Sequence, residues 1–251
     1  MKQHLGESRS LRRENYALIG PDSHEATKLA HWTGSSLAVV IAPQLGARFT
    51  EYFAQMEDGA FATESPVGLQ RFFLVLEGAV TLSTETGSHD FGVEGYAIVP
   101  AGMAHKITAR GAARLIVLER PYLALKGYDR PNLYVSNIAD HQQIVMKGDD
   151  RLLLQRLAPE DPSFDFEINV MEYKPGMGLP YVETHYMEHG ILLMNGGGIF
   201  RLGTDWYPSE AGDVIWMGPY CPQWFGAIGR QNARYLIYKD YNRDPLSPGT
   251  Y

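Results

Sequence analysis

The two halves of the chain carry the same landmarks at a nearly constant separation. Two stretches of the first half align with stretches of the second: FFLVLEGAVTLSTETG with ILLMNGGGIFRLGTDW, and VEGYAIVPAGMAH with EAGDVIWMGPYCPQ. Four landmark pairs lie 117 to 120 residues apart, namely Gly78 and Gly196, Gly95 and Gly212, His105 and Gln223, and Arg114 and Arg234. Because these landmarks differ in chemistry, their shared spacing indicates duplication of one structural unit. We therefore predict two tandem domains of the same fold.

Each half consists of short apolar runs that alternate with turn residues, a pattern typical of β-strands. The 26 Gly and 15 Pro fit many tight turns, and no helical periodicity lasts beyond two or three turns. The predicted strands are Arg71–Leu76, Ala79–Ser83, Tyr96–Val99, Arg114–Leu118, Glu167–Tyr173, Gly190–Met194, Ile199–Leu202, Asp213–Met217 and Arg234–Tyr238. The fold class is therefore predicted to be all-β. We expect an N-terminal arm over residues 1–30, one domain over 31–125 and a second over 126–251.

Charge and cysteine content argue against several partners and compartments. Lys and Arg number 22 and Asp and Glu number 29, which gives a net charge of −7 without a basic cluster. Nucleic acids and anionic membrane surfaces are therefore not expected as partners. The single cysteine, Cys221, cannot form an internal disulfide, and no apolar run approaches the roughly 18 residues of a membrane span. We expect a cytoplasmic protein that does not associate with membranes.

Three potential metal ligands precede the apolar strand of the second half. In the sequence ETHYMEHG, Glu183, His185 and His189 have the same parity, so on a β-strand all three side chains leave one face. Imidazole and carboxylate groups both bind first-row metals. The alternative is a strand whose polar residues simply face solvent. The first-half positions 118 residues earlier are Ser65, Val67 and Arg71, so we expect a metal site in the second half alone.

The repeat suggests a fourth ligand from another strand. His105, in the first half, corresponds to Gln223 in the second, and a side chain at this position should lie near the other three ligands. An amide oxygen is a neutral, hard donor, which favours Mn(II) or Fe(II) over copper or structural zinc. Without companion ligands, His105 is expected to be a packed or hydrogen-bonded histidine.

Two features of the sequence resemble the cupin superfamily. One is the glycine-rich motif before Pro100-Ala-Gly-Met-Ala-His105, and the other is the ligand-bearing strand that precedes a Gly-rich turn. Two such domains in tandem form a bicupin, in which each domain is a double-sheet jelly roll. The stretch from Glu183 to Asp244, including THYMEHGILLMNGGGIFRLG and RYLIYKDYNRDP, is similar to the (S)-ureidoglycine aminohydrolases of allantoin and purine degradation. GPYCPQ in place of Pro-x-Gly-x₂-His departs from generic cupins but agrees with this family.

The resemblance also implies the identity of the site residues. It places Mn²⁺ in the C-terminal domain, bound by Glu183, His185, His189 and Gln223, and it assigns substrate contacts to Tyr235 and Lys239. Glu183, Tyr235 and Lys239 are the catalytic residues that it predicts. Tyr235 and Lys239 are four residues apart on a predicted strand and therefore point to one side. From spacing alone, Tyr235 also fits a core position and Lys239 a solvated strand end.

The activity implied by the resemblance is the hydrolysis of (S)-ureidoglycine to (S)-ureidoglycolate and ammonia. Its substrate is a small anion, and the resemblance implies a homo-oligomer. Two alternatives stay open. Another metal-dependent cupin enzyme, such as a dioxygenase or an isomerase, would share the ligand set. A non-catalytic bicupin that binds a small molecule is the other alternative.

Overall fold

A computed structural model describes residues 8–246. As far as residue 137 the chain forms eleven strands and two short 3₁₀ helices. The strands are β1 (Leu11–Arg12), β2 (Tyr16–Ile19), β3 (Trp32–Ile41), β4 (Thr50–Ala62), β5 (Leu69–Glu77), β6 (Val80–Thr84), β7 (Gly87–Phe91), β8 (Gly95–Val99), β9 (His105–Ala109), β10 (Ala113–Pro121) and β11 (Tyr134–Asn137). The 3₁₀ helices are Pro21–Ser23 and Pro43–Leu45, each beginning at a proline, whose fixed φ favours the first turn.

The second half adds nine strands after a third 3₁₀ helix at Ile138–Asp140. They are β12 (Ile144–Met146), β13 (Asp149–Arg156), β14 (Phe166–Tyr173), β15 (His189–Asn195), β16 (Gly197–Leu202), β17 (Asp205–Glu210), β18 (Val214–Met217), β19 (Gln223–Ala227) and β20 (Ala233–Asp240). Every strand predicted from the sequence is present, with ends that differ by at most three residues. The all-β prediction is confirmed.

The strand order repeats between the halves. In the first half β8-β5-β10-β4 are hydrogen-bonded neighbours, with β3 beside β4, and β9-β6-β7 continue the sheet. In the second half β18-β15-β20-β14-β13 form the matching sheet, and β17-β16-β19 form a separate three-stranded sheet. Each half therefore encloses an interior between two layers of antiparallel strands, as a double-sheet jelly roll does. The predicted bicupin fold is confirmed.

Two segments pair with the sheet of the other half. The N-terminal strands β1 and β2 extend the second-half sheet, because β2 pairs with β18. Strand β11 pairs with β8 in the first-half sheet, although it follows residue 125. Residues 1–7 of the predicted arm lie outside the described residues. The domain bounds given above stay a prediction.

A shared apolar core joins the two halves. Phe49, Phe53 and Phe72 of the first half pack in one cluster with Phe166 and Tyr238 of the second. The rings of Phe49 and Tyr238 have centroids 4.3 Å apart. Burying each such side chain stabilises the fold by about 1.5–3 kcal/mol, so this core fixes the two sheets against each other. Among residues 8–246, no helix is long and apolar enough to cross a membrane.

Candidate metal centre and the adjoining cavity

The segment that carries the first two predicted ligands is not part of a strand. Strand β15 begins at His189, and Glu183 forms only an isolated bridge with Gln223 at the start of β19. The segment leaves the three-stranded sheet at Glu183 and joins the large sheet at His189. The prediction that Glu183, His185 and His189 share one face of a strand is therefore wrong.

Backbone bonds and one buried carboxylate hold this irregular segment. Glu183 and Gln223 exchange two backbone hydrogen bonds of 2.8 and 2.9 Å, and the backbone N–H of Tyr220 donates to the carbonyl of His185 at 2.7 Å. Glu188 is fully buried and accepts hydrogen bonds from Arg48 of the first half. The segment is thus fixed at both ends.

Three of the four predicted ligands meet at one point. The Nε2 atom of His185 lies 3.3 Å from Nε2 of His189 and 3.0 Å from the side-chain amide of Gln223. Ligands at adjacent corners of an octahedral site, about 2.1 Å from the metal, are themselves about 3 Å apart. Rotating the Gln223 amide by half a turn presents its oxygen at the same place. These three side chains therefore fit one metal ion.

Both imidazoles are held in the neutral form that binds metals. His189 Nδ1 donates to the carbonyl of Tyr238 at 3.2 Å, which leaves Nε2 as the free electron-pair donor. Burial lowers the pKa of His189 to about 3, and the charge of the neighbouring His185 is a second, smaller cause. Burial also lowers the pKa of His185. Neither ring carries a proton on both nitrogens at neutral pH.

Glu183 lies at the same cavity, but its carboxylate faces another group. Its Oε1 atom is 3.8 Å from Nζ of Lys147, which also donates to the hydroxyl of Tyr181 at 2.7 Å. Within residues 8–246 no three His, Cys, Asp or Glu side chains form a compact metal-binding group. For Glu183 to be the fourth ligand, its carboxylate must come closer to His185 and His189 than it lies here.

A cavity of about 500 Å³ adjoins the two histidines. Tyr235 and Lys239, on β20, both line it, as their spacing predicted. Tyr235 is buried, and its hydroxyl lies 2.9 Å from that of Tyr173. Burial raises the pKa of Tyr235, so the phenol stays protonated. Lys239 is directly opposite His189 in the sheet, and its side chain is 24% exposed.

Curated relatives cover almost the whole chain. A protein of Oryza sativa subsp. japonica with the name "Probable (S)-ureidoglycine aminohydrolase" is 41% identical over 242 residues, which are 96% of this chain and 78% of the relative. The (S)-ureidoglycine aminohydrolase of Arabidopsis thaliana is 40% identical over 96% of this chain and 80% of its own length. This chain belongs to the (S)-ureidoglycine aminohydrolase family. The (S)-ureidoglycine aminohydrolase of Escherichia coli (strain K12) is 29% identical over 238 residues, 92% of this chain and 90% of that protein. No protein-family model matches the chain.

Solved structures share the fold of this chain. Protein Ylba from E. coli superposes with a TM-score of 0.84 and 25% identity, over 95% of this chain and 96% of Ylba. Oxalate decarboxylase from Bacillus subtilis, an enzyme with Mn(II) centres, superposes with a TM-score of 0.71 over 90% of this chain and 78% of its own. At 10% identity, oxalate decarboxylase shares the fold alone with this family member.

In this family member, the first half has a buried arginine where the second half has the candidate ligand His189. Arg71 lies opposite Val99 and Glu119, as His189 lies opposite Met217 and Lys239. The Arg71 guanidinium is fully buried, and its Nη2 lies 2.7 Å from the Glu119 carboxylate. Its Nη1 donates to His105 Nε2 at 2.9 Å. His105 is thus a hydrogen-bonded core histidine, as predicted.

The structure adds residues that sequence reasoning missed. Glu167, on β14, pairs with Lys239, and Lys147, at the tip of the β12–β13 hairpin, reaches the mouth of the cavity. Glu167 has the opposite parity to Phe166, Ile168 and Val170, so the pattern of its strand did not mark it as a buried residue. Nothing in the sequence places the hairpin of Lys147 next to Glu183.

Proposed function

We propose that this chain is a Mn²⁺-dependent (S)-ureidoglycine aminohydrolase, which converts (S)-ureidoglycine and water to (S)-ureidoglycolate and ammonia in purine degradation. The observation that carries the proposal is the meeting of His185, His189 and Gln223 beside Lys239 in one cavity. Family membership supplies the substrate. In this reaction the bond between the α-carbon and the amine nitrogen breaks, and a bond to a water oxygen forms.

The charges around the cavity suit a small anion. Glu183 is the one anionic member of the proposed ligand set, so the site keeps a net positive charge when a divalent ion is bound. Lys239 adds an ammonium on the same side of the sheet as His189. A carboxylate that enters such a cavity gains electrostatic attraction from both. We propose that Lys239 binds the carboxylate of the substrate.

The remaining walls orient the substrate and limit access of water. Met171, Phe200 and Ile237 line the cavity with apolar surface, and Tyr235 presents a protonated hydroxyl among them. Tyr235 is proposed to donate a hydrogen bond to a substrate oxygen. Glu183, Tyr235 and Lys239 are the proposed catalytic residues. A bound Mn²⁺ ion would supply Lewis acidity and an anchor for the carboxylate and its neighbouring heteroatom.

The proposal is tested by metal analysis and turnover on the same preparation. Protein purified without chelator should contain manganese and should release ammonia from freshly generated (S)-ureidoglycine without consuming oxygen. Oxygen consumption would favour the dioxygenase alternative. A protein that binds a small molecule but turns nothing over would favour the non-catalytic bicupin.

We also propose that the chain acts as a homo-oligomer in the cytoplasm. A net charge of −7 and a single, buried cysteine support a reducing compartment and a small-molecule substrate rather than a nucleic acid or membrane. Light scattering of the purified protein at micromolar concentration tests the oligomer. A monomer at that concentration would contradict it.

A further inference from the structure

Three charged or metal-binding side chains form a row across neighbouring strands. Lys239 on β20 lies directly opposite Glu167 on β14 and directly opposite His189 on β15. Directly opposed residues of antiparallel strands project to the same face of the sheet. Glu167 therefore stands on the interior face, one strand farther from the candidate metal centre than Lys239.

The Lys239 ammonium has one defined partner in this row. Its Nζ atom forms an ion pair with Oε2 of Glu167, whose side chain is only 9% exposed. A lysine side chain has four rotatable bonds, so ordering it costs rotamer freedom. The ion pair with Glu167 offsets that cost before any substrate arrives. The ammonium is therefore held in place in the ligand-free protein.

The Glu167 carboxylate is itself fixed by two groups. Asn169, two residues along β14 and buried on the same face, donates from Nδ2 to Oε2 of Glu167 at 3.3 Å. Nε of Arg156 lies 3.9 Å from Oε1. Asn169 orients the carboxylate, and the Arg156 guanidinium, which also pairs with Glu160, offsets part of its negative charge. Lys239 can therefore still attract an anion.

We infer that Glu167 is a positioning residue, which holds the Lys239 ammonium in the orientation that receives the carboxylate of the substrate. The inference rests on the proposed function, because Lys239 has its role there. Lys239 has three N–H donors, so the bond to Glu167 leaves donors for a ligand. A fixed donor binds an anion more tightly than a mobile one, because less freedom is lost on binding.

The test is a double-mutant cycle between Glu167→Gln and Lys239→Met. Glu167→Gln keeps the shape of the side chain and removes its charge. In the manganese-loaded protein it should lower kcat/KM for (S)-ureidoglycine about 10-fold, mainly through KM, since the lost interaction is one of binding. In the Lys239→Met background the same change should alter kcat/KM by less than about 3-fold, because the group it positions is gone. Equal effects in both backgrounds would overturn the inference.

A binding measurement separates this inference from the proposed function. Calorimetric titration with glycolate, a small carboxylate, is run on the same four proteins. Glu167→Gln should weaken glycolate binding when Lys239 is present and leave it unchanged in the Lys239→Met background. If the wild type binds glycolate with this pattern but does not turn over (S)-ureidoglycine, the proposed function fails and the positioning role stands. Failure of the wild type to bind glycolate would overturn the positioning role.

Two controls keep the result interpretable. Glu172→Gln changes a partly buried carboxylate on the opposite face of the same strand, which accepts a hydrogen bond from Asn232, so it should leave both measurements unchanged. Lys239→Met leaves the buried Glu167 carboxylate without its ammonium and can impair folding. If that variant does not fold, Lys239→Gln, which keeps an N–H donor for Glu167, takes its place in the cycle.

Discussion

Arg71 and His189 occupy equivalent positions in the two halves but have opposite surroundings. Arg71 lies opposite Glu119 and is fully buried against it, whereas His189 lies opposite Lys239 and faces His185. A guanidinium already occupies the place in the first half where a cation would bind. The first-half interior thus contains an internal ion pair, and the second-half interior contains an open cavity.

This relationship predicts one transition metal ion per chain. Arg71 carries a permanent positive charge, so a second cation beside it is disfavoured. Elemental analysis of protein purified without chelator should give a metal-to-chain ratio near one. Two tightly bound ions per chain would contradict the equivalence of Arg71 with the ligand position.

Removing a ligand should remove the metal. His189→Ala and Gln223→Ala each delete a side chain that lies within 3.3 Å of His185 Nε2. The affinity for the metal should fall by at least about 10-fold, because even the loss of a residue behind a ligand has an effect of this size. The matched control is His105→Ala, the equivalent of Gln223 in the first half. Its metal content should equal that of the wild type, and equal losses in all three variants would show that the halves were assigned wrongly.

Glu51 should make stability depend on pH. Burial raises its pKa to about 8, so the folded protein holds a proton that the unfolded chain releases near its ordinary value of 4.5. The stability contributed by this proton is complete below pH 4.5 and is lost as the pH rises from there to about 8. Glu51→Gln should therefore stabilise the protein at pH 8.5 by on the order of 1–3 kcal/mol and have little effect at pH 4.5. Thermal melts of the wild type and Glu51→Gln at pH 4.5 and pH 8.5 test this prediction. The same change in melting temperature at both pH values would rule out titration of Glu51 as the cause.

Gly190 should not tolerate a larger side chain. A Cβ atom at this position would lie 2.4 Å from Oε2 of Glu51 and 2.8 Å from the ring of Phe49, in the core between the halves. Gly190→Ala should destabilise the protein by about 1–3 kcal/mol through overpacking. Gly92, whose Cβ would meet nothing within 4 Å, is the control, and Gly92→Ala should change the melting temperature little. Equal melting temperatures for the two variants would contradict the packing described here.

The sequence predicted most of the fold because the repeat and the period-two pattern can both be read along a single chain. It predicted the meeting of His185, His189 and Gln223, although by a wrong route for His185, since parity assumes a strand that the segment before His189 does not form. To predict the bridge between Glu183 and Gln223, one must know which strands are neighbours in the sheet. The pair between Glu167 and Lys239 depends on the register between β14 and β20, which cannot be inferred from the sequence pattern of either strand alone.

We propose that the second-half cavity hydrolyses (S)-ureidoglycine and that Lys239 binds its carboxylate. The most direct measurement is the rate of ammonia release by the wild type and by Lys239→Met at equal manganese occupancy. The wild type should release ammonia, and Lys239→Met should lose about 2–5 kcal/mol of transition-state stabilisation while keeping its metal. No ammonia release by the manganese-loaded wild type, or near wild-type release by Lys239→Met, would contradict the account.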